Sequence, residues 1–589
     1  MPEEHILHEL KHNGIVIIDP PEYKGLTITI RGRKHKLTPK QEEMAFAWCK
    51  KIGTEYVEDP VFQRNFLRDF STELDIHPPL KIDDIDFSQV LALVEAEREY
   101  KANLSKEERK AQAAERKARR EELKEKYGYA VVDGEQIELA NYMNEPSSIF
   151  MGRGKHPLRG RWKEAAGQED VVLNLSPNAP PVPGKWREIV WQPDSMWVAR
   201  WTDRLTGKNK YIWLHDTAPI KQAREAQKFD KAIQLSGEME RVRNAILKNL
   251  RSDNSRRRKI ATACYLIDRL CLRVGDEKDP EEADTVGATT LRPEHVKFHD
   301  HNMTEFRFLG KDSVLWHKKI KLPDIVIENL RELSASARPS QNGNRKTAAG
   351  NKPQLFPDIS SRNVNAFLSE LMPGLTAKVF RTHHATRVVK QELDDSEVMA
   401  DDPQYKKWEA AVYANREAAI LCNHTKKAPP TWKNRKERYK EREKRARERI
   451  KKIRNQLSDY RKKLPEIKKQ KKERISRAKD GESKRKTRER YNKRIERQTE
   501  RIAKTIIRLE KAEKSLGKVK VQKQLASKNL TWNLGTSQKS YIDPRVFYNW
   551  GKKVDYDVLE NYYSKTLRRK FMWVKIMDPD YNEEKQQQA

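Results

Sequence analysis

A charged segment from about Trp432 to Lys523 constrains the fold most, because its few apolar residues recur at alternating spacings of four and three. The first stripe comprises Ala446, Ile450, Ile453, Leu457, Tyr460, Leu464 and Ile467. The second stripe, after AKDGESK, comprises Tyr491, Ile495, Gln498, Ile502, Thr505, Leu509, Ala512 and Leu516. Two heptad stripes joined by a glycine-containing turn predict an antiparallel helical hairpin rather than a disordered charge run. Pro465 is expected to kink or interrupt the first helix, because it removes one hydrogen bond.

The composition favours a multidomain protein that binds a polyanion. With 589 residues, the chain exceeds what one hydrophobic core usually supports. Its formal net charge of +34 indicates nucleic acid as the partner, with an acidic membrane as the weaker alternative. No run approaches the roughly 18 apolar residues of a membrane span, and the N-terminal sequence MPEEHILHEL lacks the pattern of a secretory signal. We therefore expect a soluble, intracellular protein.

Neither the cysteines nor the glycines form a cofactor motif. The four cysteines lack C-x-x-C or Cys/His metal spacing, which fits a reducing compartment; they are Cys49, Cys264, Cys271 and Cys422. GRGKHPLRG is neither a P-loop nor a dinucleotide fingerprint. Its glycines predict close approach of the backbone to DNA, with Arg153 and Lys155 at phosphates or in a groove, although a plain basic loop has the same composition.

Five polar residues, far apart in the chain, together provide what cleavage of a phosphodiester by a protein nucleophile requires. They are Arg273 in LCLRVGDEK, Lys311 in FLGKDS, Arg381 in KVFRTHHAT, His424 in ILCNHTKKAPP and Tyr541 in TSQKSYIDPR. A tyrosine, whose ordinary pKa is about 10, needs nearby positive charge to attack phosphorus. Arginine and histidine donate hydrogen bonds to phosphoryl oxygens, and lysine can protonate the departing alkoxide. This chemistry needs neither a metal nor ATP.

None of the five residues is diagnostic by itself. An isolated arginine or lysine in so basic a protein is usually a solvated surface charge. His424 lies in the apolar segment AAILCNH, where a histidine more often belongs to the core. The interpretation therefore depends on the sequence around each residue.

That surrounding sequence resembles the motifs of the eukaryotic-type DNA topoisomerase IB family, in order and over nearly the whole chain. The matching segments are MGRGKHPLRGR, KYIWLH, IDRLCLRVGDEK, EEADTVGATTLRPEHV, FLGKDS, LTAKVFRT, AILCNH with KKAPP, and LGTS with SYIDPR. The resemblance implies that the catalytic groups are Arg273, Lys311, Arg381 and His424. It also implies that Tyr541 is the nucleophile, which attaches to the 3′ phosphate and frees a 5′ hydroxyl.

The sequence beside the proposed nucleophile departs from the family pattern. The family usually has Ser-Lys-x-Asn-Tyr, whereas residues 537–541 of this chain are Ser-Gln-Lys-Ser-Tyr. The chemistry should survive, because neither changed position is among the five. The resemblance places camptothecin-type inhibitors against that asparagine, so Ser540 predicts reduced sensitivity to them.

The N-terminal part is predicted to mix strands and helices. LTITIRGRKHKLT alternates apolar and polar residues around Gly32, which is typical of a hairpin, and a helical pattern follows over residues 39–51. Ser105 and Glu108 form a potential capping box for a charged helix that ends at Gly128. We expect the basic residues of this helix to form a solvated face, although such a helix could also overhang DNA.

Two further hairpins are predicted. MWVARW and KYIWL are aromatic, β-type runs separated by DRLTGKN, with Lys210 at the start of the returning strand. FRFLGKDSVLW predicts a hairpin whose tip is Gly310, Lys311 and Asp312. A lysine on a protruding tip can reach into a groove and approach the leaving oxygen.

The predicted fold class is α+β multidomain with a mainly helical catalytic domain. The resemblance implies a mixed α/β DNA-binding cap at residues 1–217 and a catalytic core at 218–430. A coiled-coil linker at 431–525 and a small helical C-terminal domain at 526–589, which carries the nucleophile, complete a clamp around duplex DNA. The candidate DNA-binding residues are Arg153, Lys155, Lys210, Asp312 and Asn423.

The resulting functional hypothesis is a monomeric type IB DNA topoisomerase that relaxes positive and negative supercoils of double-stranded DNA without a cofactor. Affinity should come mostly from phosphate contacts. A tyrosine recombinase is the nearest alternative enzyme, and the long linker argues against it. A non-catalytic architectural DNA-binding protein would explain the charge but not the five residues.

The cellular source is a separate expectation. Nuclear members of the family usually carry a long charged extension, whereas this sequence begins almost at the core. This favours an archaeal protein on a cytoplasmic nucleoid over a nuclear one.

Overall fold

The structure is a computed structural model that describes residues 6–276, 282–339 and 352–579. The chain divides into two compact units, residues 1–378 and residues 379–589. All the strands of the described residues belong to the first unit, and both long helices belong to the second.

The first unit contains fifteen short strands in the described residues. In chain order they are β1 (Leu10–His12), β2 (Thr27–Ile30), β3 (Arg33–Lys36), β4 (Ile85–Asp86), β5 (Tyr129–Val132), β6 (Glu135–Glu138), β7 (Ser148–Ile149), β8 (Trp162–Lys163), β9 (Val172–Asn174), β10 (Glu188–Val190), β11 (Trp197–Thr202), β12 (Asn209–Trp213), β13 (Val296–Phe298), β14 (Met303–Gly310) and β15 (Val314–Lys321). They form sheets ordered β3-β2-β4, β1-β5-β6, β7-β8, β10-β9-β11-β12 and β13-β14-β15.

Eight α-helices accompany these sheets within the part of the first unit that the structure describes. They are α1 (Pro39–Cys49), α2 (Pro60–Glu73), α3 (Ser88–Asn103), α4 (Lys106–Tyr127), α5 (Pro219–Asn249), α6 (Ser255–Leu270), α7 (Asp324–Ala335) and α8 (Ser361–Leu371). Helix α1 begins with Pro at its first position, which costs no helical hydrogen bond. The helical pattern predicted over residues 39–51 corresponds to α1.

The predicted hairpin around Gly32 is present as β2 and β3. Arg31 and Gly32 both have positive φ, 48° and 80°. Two such residues form the tight turn whose twist matches antiparallel strands. The apolar side of this hairpin packs with α1 and α2 into one core that includes Trp48, Phe66 and Phe70.

The predicted hairpin of MWVARW and KYIWL is present as β11 and β12. It contributes Val198, Ala199 and Ile212 to a second core. This core also contains Leu10 of β1 and Val132 of β5, so it joins two sheets of the N-terminal region.

Helix α4 is bounded as its sequence predicts. The Ser105 hydroxyl accepts the Glu108 N–H at 3.1 Å, and the Glu108 carboxylate accepts the Ser105 N–H at 2.7 Å. Gly128 is the C-terminal cap. None of the helix side chains is buried, in agreement with a solvated face.

The regular secondary structure in the described residues of the second unit is α-helical, apart from an isolated bridge between Thr425 and Trp532. Its helices are α9 (Ala377–Asp394), α10 (Gln404–Leu421), α11 (Trp432–Ser476), α12 (Gly481–Lys528), α13 (Leu534–Ser540), α14 (Pro544–Lys553), α15 (Val558–Asn561), α16 (Lys565–Lys570) and α17 (Trp573–Ile576). Helices α9 and α10 share a core with the C-terminal segment through Ala385, Ala414, Ile542 and Phe547. The residues beside Tyr541 are thus packed on the helices that carry Arg381 and lead to His424.

The long helices α11 and α12 pack against each other in antiparallel directions. Ile450 and Ile453 of α11 contact Ala512 of α12 near one end. Farther along, the Gln498 side chain donates to the Tyr460 carbonyl at 2.8 Å. With these contacts, α11 and α12 form an antiparallel helical hairpin.

Pro465 does not interrupt α11, which is helical from Trp432 to Ser476. The expected interruption is wrong because α12 supports the helix on both sides of the proline. Tyr460 is bonded to α12 before it, and Lys471 donates to Asn492 at 2.6 Å after it.

Across the described ranges, none of the helices is both long enough and apolar enough to span a bilayer.

Candidate active site

Tyr541 lies at the junction between helices α13 and α14 and is 5% exposed. Its N–H donates to the Ser537 carbonyl at 2.9 Å, which is the last helical bond of α13. Asp543 then starts α14 by accepting the Arg545 N–H at 3.0 Å, with Pro544 in the first helical position. The SYIDPR sequence therefore fixes the backbone of Tyr541 between two helix ends.

Thr386 of α9 holds the same backbone from the other side. Its hydroxyl donates to the Tyr541 carbonyl at 3.3 Å and accepts the Asp543 N–H at 3.1 Å. Sequence reasoning missed Thr386, and no spacing signal connects it with a tyrosine so far along the chain. Its role is visible only in the tertiary structure.

Arg381 contacts the other two predicted catalytic residues of the second unit, His424 and Tyr541. It lies on α9, is 4% exposed, and its Nη2 donates to the Cys422 carbonyl at 3.0 Å and to His424 Nε2 at 3.1 Å. The same guanidinium lies 4.8 Å from the centre of the Tyr541 ring. A buried cation over the ring places positive charge next to the side chain that must become an anion to act as a nucleophile.

The His424 ring lies between Arg381 and Ser537. Its centre is 5.2 Å from that of the Tyr541 ring. On the side opposite Arg381, its Nδ1 is 2.7 Å from the Ser537 hydroxyl. Sequence reasoning also missed Ser537 as a contact of His424, because the two residues lie 113 positions apart and no spacing signal connects them.

The backbone around His424 is a Schellman motif at the end of α10. The His424 N–H donates to the Ala419 carbonyl at 2.8 Å, and the Asn423 N–H donates to the Ile420 carbonyl at 3.1 Å. Asn423 has φ of 54°, a left-handed conformation that asparagine tolerates better than most residues. Asn423, predicted to bind DNA, therefore also has a structural role next to His424.

A second set of backbone bonds joins the two stems of the long helical hairpin beside His424. The Asn533 N–H donates to the His424 carbonyl at 2.7 Å, and the Lys426 N–H donates to the Thr531 carbonyl at 2.8 Å. We call these two bonds, from His424–Lys426 to Thr531–Asn533, the stem clasp. It brings the segment before Tyr541 back to the segment that contains His424.

Other tyrosines of the C-terminal segment are poorer candidates for a nucleophile. Burial raises the pKa of Tyr556, Tyr562 and Tyr563 far above the ordinary value. Burial, together with the Asp578 carboxylate, raises the pKa of Tyr548 to about 12. Arg381, in contrast, lies over the ring of Tyr541.

Arg273 and Lys311 belong to the first unit, where backbone bonds connect their segments. The Ala288 N–H donates to the Arg273 carbonyl at 2.9 Å, and the Val286 N–H donates to the Leu309 carbonyl at 2.8 Å. Residues 286–288 thus bridge the Arg273 segment and the hairpin that ends at Lys311.

The predicted hairpin tip is present between β14 and β15. Lys311 is exposed there, and Asp312 has φ of 65°. Arg153, also exposed, forms an ion pair with Asp312 at 2.5 Å. Lys155 is exposed in the loop of Arg153.

A cavity of about 1200 Å³ collects three of the predicted DNA-binding residues, Arg153, Lys210 and Asp312. Lys210 lies 3.5 Å from the Glu145 carboxylate, which also lines the cavity. Lys155 is not among its lining residues. Asn423 lies in the other unit, beside His424.

The structure thus brings Arg381, His424 and Tyr541 into one cluster within the second unit. In the first unit it joins the backbone segments of Arg273 and Lys311. Within the described residues, no group of three or more His, Cys, Asp or Glu side chains could hold a metal ion.

Three family models match the chain along most of its length. Residues 7–214 match the DNA-binding fragment of eukaryotic DNA topoisomerase I, and residues 217–457 match its catalytic core. Residues 513–583 match the C-terminal topoisomerase domain. The first two models together cover more than half of the chain.

Curated relatives match 97% of the chain. Identity is 32% to DNA topoisomerase 1 beta of Arabidopsis thaliana, of which the chain spans 59%, and 32% to DNA topoisomerase 1 of Homo sapiens, of which it spans 71%. Identity is 30% to the mitochondrial DNA topoisomerase I of Pan troglodytes, of which it spans 90%. These relatives are eukaryotic, so they lend no support to the expected archaeal source.

Proposed function

The chain belongs to the eukaryotic DNA topoisomerase I family, and we propose that it is a type IB topoisomerase that relaxes supercoiled DNA. The proposed reaction cuts one strand, allows rotation and reseals the strand. It uses no ATP and no metal, because the phosphotyrosine bond conserves the energy of the broken phosphodiester.

In the proposed cleavage step, the Tyr541 oxygen attacks phosphorus and loses its proton to solvent. The bond between phosphorus and the 5′ oxygen breaks, and Lys311 donates a proton to that oxygen. The product is a 3′ phosphotyrosine and a free 5′ hydroxyl. Religation is the same step in reverse, with the 5′ hydroxyl attacking and the tyrosine leaving.

Three side chains are proposed to stabilise the charge on the non-bridging phosphoryl oxygens. Arg273 and Arg381 present planar guanidinium donors that remain charged at all relevant pH values. His424 donates one further hydrogen bond through Nε2. Donors aimed at these oxygens stabilise the negative charge that develops on them in the transition state.

A single observation carries this proposal, namely the position of the Arg381 guanidinium. It is 3.1 Å from His424 Nε2 and 4.8 Å from the centre of the Tyr541 ring. A guanidinium that contacts both a histidine and a tyrosine supplies positive charge and N–H donors, so a ligand of this cluster needs negative charge and acceptor oxygens. A phosphodiester fits that requirement in charge and in hydrogen-bonding capacity.

DNA is proposed to bind as a duplex to a monomer, with Arg153, Lys155 and Lys210 supplying positive charge and Asp312 and Asn423 supplying polar contacts. The net charge of +34 supports a salt-dependent affinity that comes from phosphates rather than from base recognition. The proposed domains are the cap at 1–217, the core at 218–430, the linker at 431–525 and the C-terminal domain at 526–589, and they are proposed to clamp the duplex.

Rotation of the cut strand is proposed to release both positive and negative supercoils. The linker carries many lysines and arginines, and we propose that it slows rotation by attracting the downstream duplex. The substrate is chromosomal DNA, and the nucleus is the compartment proposed from the eukaryotic relatives.

The decisive test is relaxation of negatively and, separately, positively supercoiled plasmid in EDTA without ATP. The wild-type chain should relax both, and Tyr541→Phe should relax neither while still binding DNA. Tyr548→Phe is the matched control, because Tyr548 lies in the same C-terminal segment but outside the cluster, and it should relax both plasmids.

Binding without relaxation by the wild type would instead indicate an architectural DNA-binding protein. Exchange of strands between two duplexes would indicate a recombinase.

A further inference from the structure

Ser537 makes two separate contacts that meet at the proposed site. Its side chain is completely buried, and its hydroxyl lies 2.7 Å from His424 Nδ1. Its carbonyl accepts the N–H groups of Tyr541 at 2.9 Å and Ile542 at 3.2 Å. One residue therefore contacts the histidine ring and holds the backbone of the proposed nucleophile.

The neighbours of the ring determine which nitrogen carries the proton. The Arg381 guanidinium has only donors. His424 Nε2, at 3.1 Å from Arg381 Nη2, must therefore be unprotonated and accept the hydrogen bond. A neutral imidazole then carries its proton on Nδ1. Consequently Nδ1–H donates to the Ser537 hydroxyl, whose oxygen is the acceptor.

This arrangement differs from the one that the reaction needs. In the proposed mechanism Nε2 donates to a phosphoryl oxygen, so it must carry a proton. If Nδ1 keeps its proton, the ring must gain a second one and become an imidazolium, with Arg381 moving from Nε2 to the phosphate. A buried imidazolium is costly unless both N–H groups have acceptors, and Ser537 supplies the acceptor on the Nδ1 side.

We infer that Ser537 is a positioning residue that keeps the proton of His424 on Nδ1 and thereby prepares Nε2 to receive a proton and bind the phosphate. This inference rests on the proposed function. Since the carbonyl of Ser537 also accepts the Tyr541 N–H, one residue positions both the His424 ring and the proposed nucleophile. The alternative is a purely structural serine, whose loss would destabilise the fold without changing the state of the ring.

The first measurement concerns the wild-type chain alone and needs no activity. Nitrogen-15 labelling of histidine side chains distinguishes the two neutral tautomers by their ring nitrogen shifts, and the His424 signal is assigned by its absence in His424→Gln. We expect the Nδ1–H tautomer in the free protein. An Nε2–H tautomer in the folded wild type would overturn the inference.

The second measurement compares Ser537→Ala with Ser564→Ala. Ser564 is a matched control, because its hydroxyl also bonds within the second unit, at the start of α16, but lies outside the cluster. Ser537→Ala should lose the single Nδ1–H tautomer, whereas Ser564→Ala should keep it. Retention of the Nδ1–H tautomer in folded Ser537→Ala would also overturn the inference.

The third measurement is single-turnover cleavage of a nicked duplex at saturating protein. The cleaved fragment of this duplex dissociates, so the strand cannot be resealed. We expect Ser537→Ala to form the covalent adduct roughly 10- to 100-fold more slowly, the range for losing a hydrogen bond to a charged group. Ser564→Ala should match the wild type. Equal rates for wild type and Ser537→Ala would refute the inference, whereas no adduct from the wild type would refute the proposed function instead.

Discussion

Arg153 Nη1 lies 2.5 Å from Asp312 Oδ1, so a loop of the N-terminal region is paired with the tip of the hairpin that carries Lys311. Both side chains are well exposed, at 73% and 45%. Exposed ion pairs contribute little to stability, typically about 0–1 kcal/mol. We therefore expect Arg153 to be able to exchange Asp312 for a DNA phosphate at little cost in stability.

Replacing Arg153 by glutamine should weaken DNA binding without destabilising the protein. A plot of the logarithm of the DNA association constant against the logarithm of the salt concentration has a negative slope. Loss of one phosphate contact should reduce the magnitude of that slope by about 0.9. The free energy of unfolding should change by less than about 1 kcal/mol. Titration of a duplex at several salt concentrations measures the slope. Arg31→Gln removes a comparable exposed pair with Asp84 and should leave the slope unchanged; equal slopes for all three proteins would contradict this role of Arg153.

Arg381→Lys should nearly abolish strand cleavage. A single ammonium group cannot reproduce the planar contacts with the Cys422 carbonyl and His424 Nε2. We expect adduct formation to slow by roughly 100-fold or more, as when one oxyanion donor is removed.

Single-turnover cleavage under saturating conditions checks this, with Arg387→Lys as control. Arg387 is exposed on the same helix and should tolerate the change. A cleavage rate for Arg381→Lys within a few-fold of the wild type would remove Arg381 from the proposed mechanism.

Stability should fall as pH drops below about 6.5, partly because of His12. Burial lowers the pKa of His12 to about 4, while its ring accepts the Gly14 N–H and donates to the Asn174 carbonyl. Because the pKa of His12 is lower in the folded than in the unfolded state, its full contribution to the free energy of unfolding is present above pH 6.5 and is lost as pH falls towards 4. This contribution amounts to about 3 kcal/mol.

Thermal unfolding of His12→Gln between pH 4 and pH 8 tests this contribution. The variant should lose less stability than the wild type over that interval. His8→Gln changes an exposed histidine of the same segment and should follow the wild type. Parallel curves for His12→Gln and the wild type would show that His12 is not responsible.

Shortening the long helical hairpin should change relaxation without preventing cleavage. Deleting residues 449–516 and joining the stems by a short glycine-serine turn removes many basic residues and keeps the cluster of Val412, Val521 and Leu525. The salt optimum of relaxation should move to lower concentration, and each cleavage event should release more supercoils. Salt-dependent plasmid assays and single-molecule rotation measure these effects. An unchanged salt profile would exclude electrostatic drag by the linker.

Ser540→Asn should increase trapping by camptothecin-type inhibitors. Asparagine is the residue that the family usually has before the nucleophilic tyrosine, and this chain has Ser540 there. Covalent adducts accumulated with the drug should rise several-fold in the variant, while adducts without the drug should be alike in both proteins. Equal, strong trapping in both would contradict the expected reduced sensitivity.

The parts of the fold that follow local periodicity could be predicted from the sequence. The heptad stripes predicted α11 and α12, and alternation around Gly32 predicted a hairpin whose turn has two residues of positive φ. Local propensity predicted a kink or an interruption at Pro465, and the interruption is absent because the partner helix contacts α11 on both sides of the proline.

The candidate site was predictable only as a set of residue types. Sequence motifs selected Arg381, His424 and Tyr541, and the structure places them together. Their supporting contacts come from Thr386 and Ser537, which approach through tertiary packing. A hydroxyl that bonds a residue far along the chain leaves no periodic trace, so such contacts could not be predicted.

The stem clasp has a consequence for how the length of the chain affects the site. Because backbone bonds join His424 to Asn533, the two ends of the helical hairpin are fixed to each other at its base. Beyond the base, α11 and α12 are held together by their own side-chain contacts, such as those of Ile450 and Ile453 with Ala512. Insertions or deletions in the hairpin therefore change the reach and charge of the arm, while the geometry of the residues at its base stays nearly independent of its length.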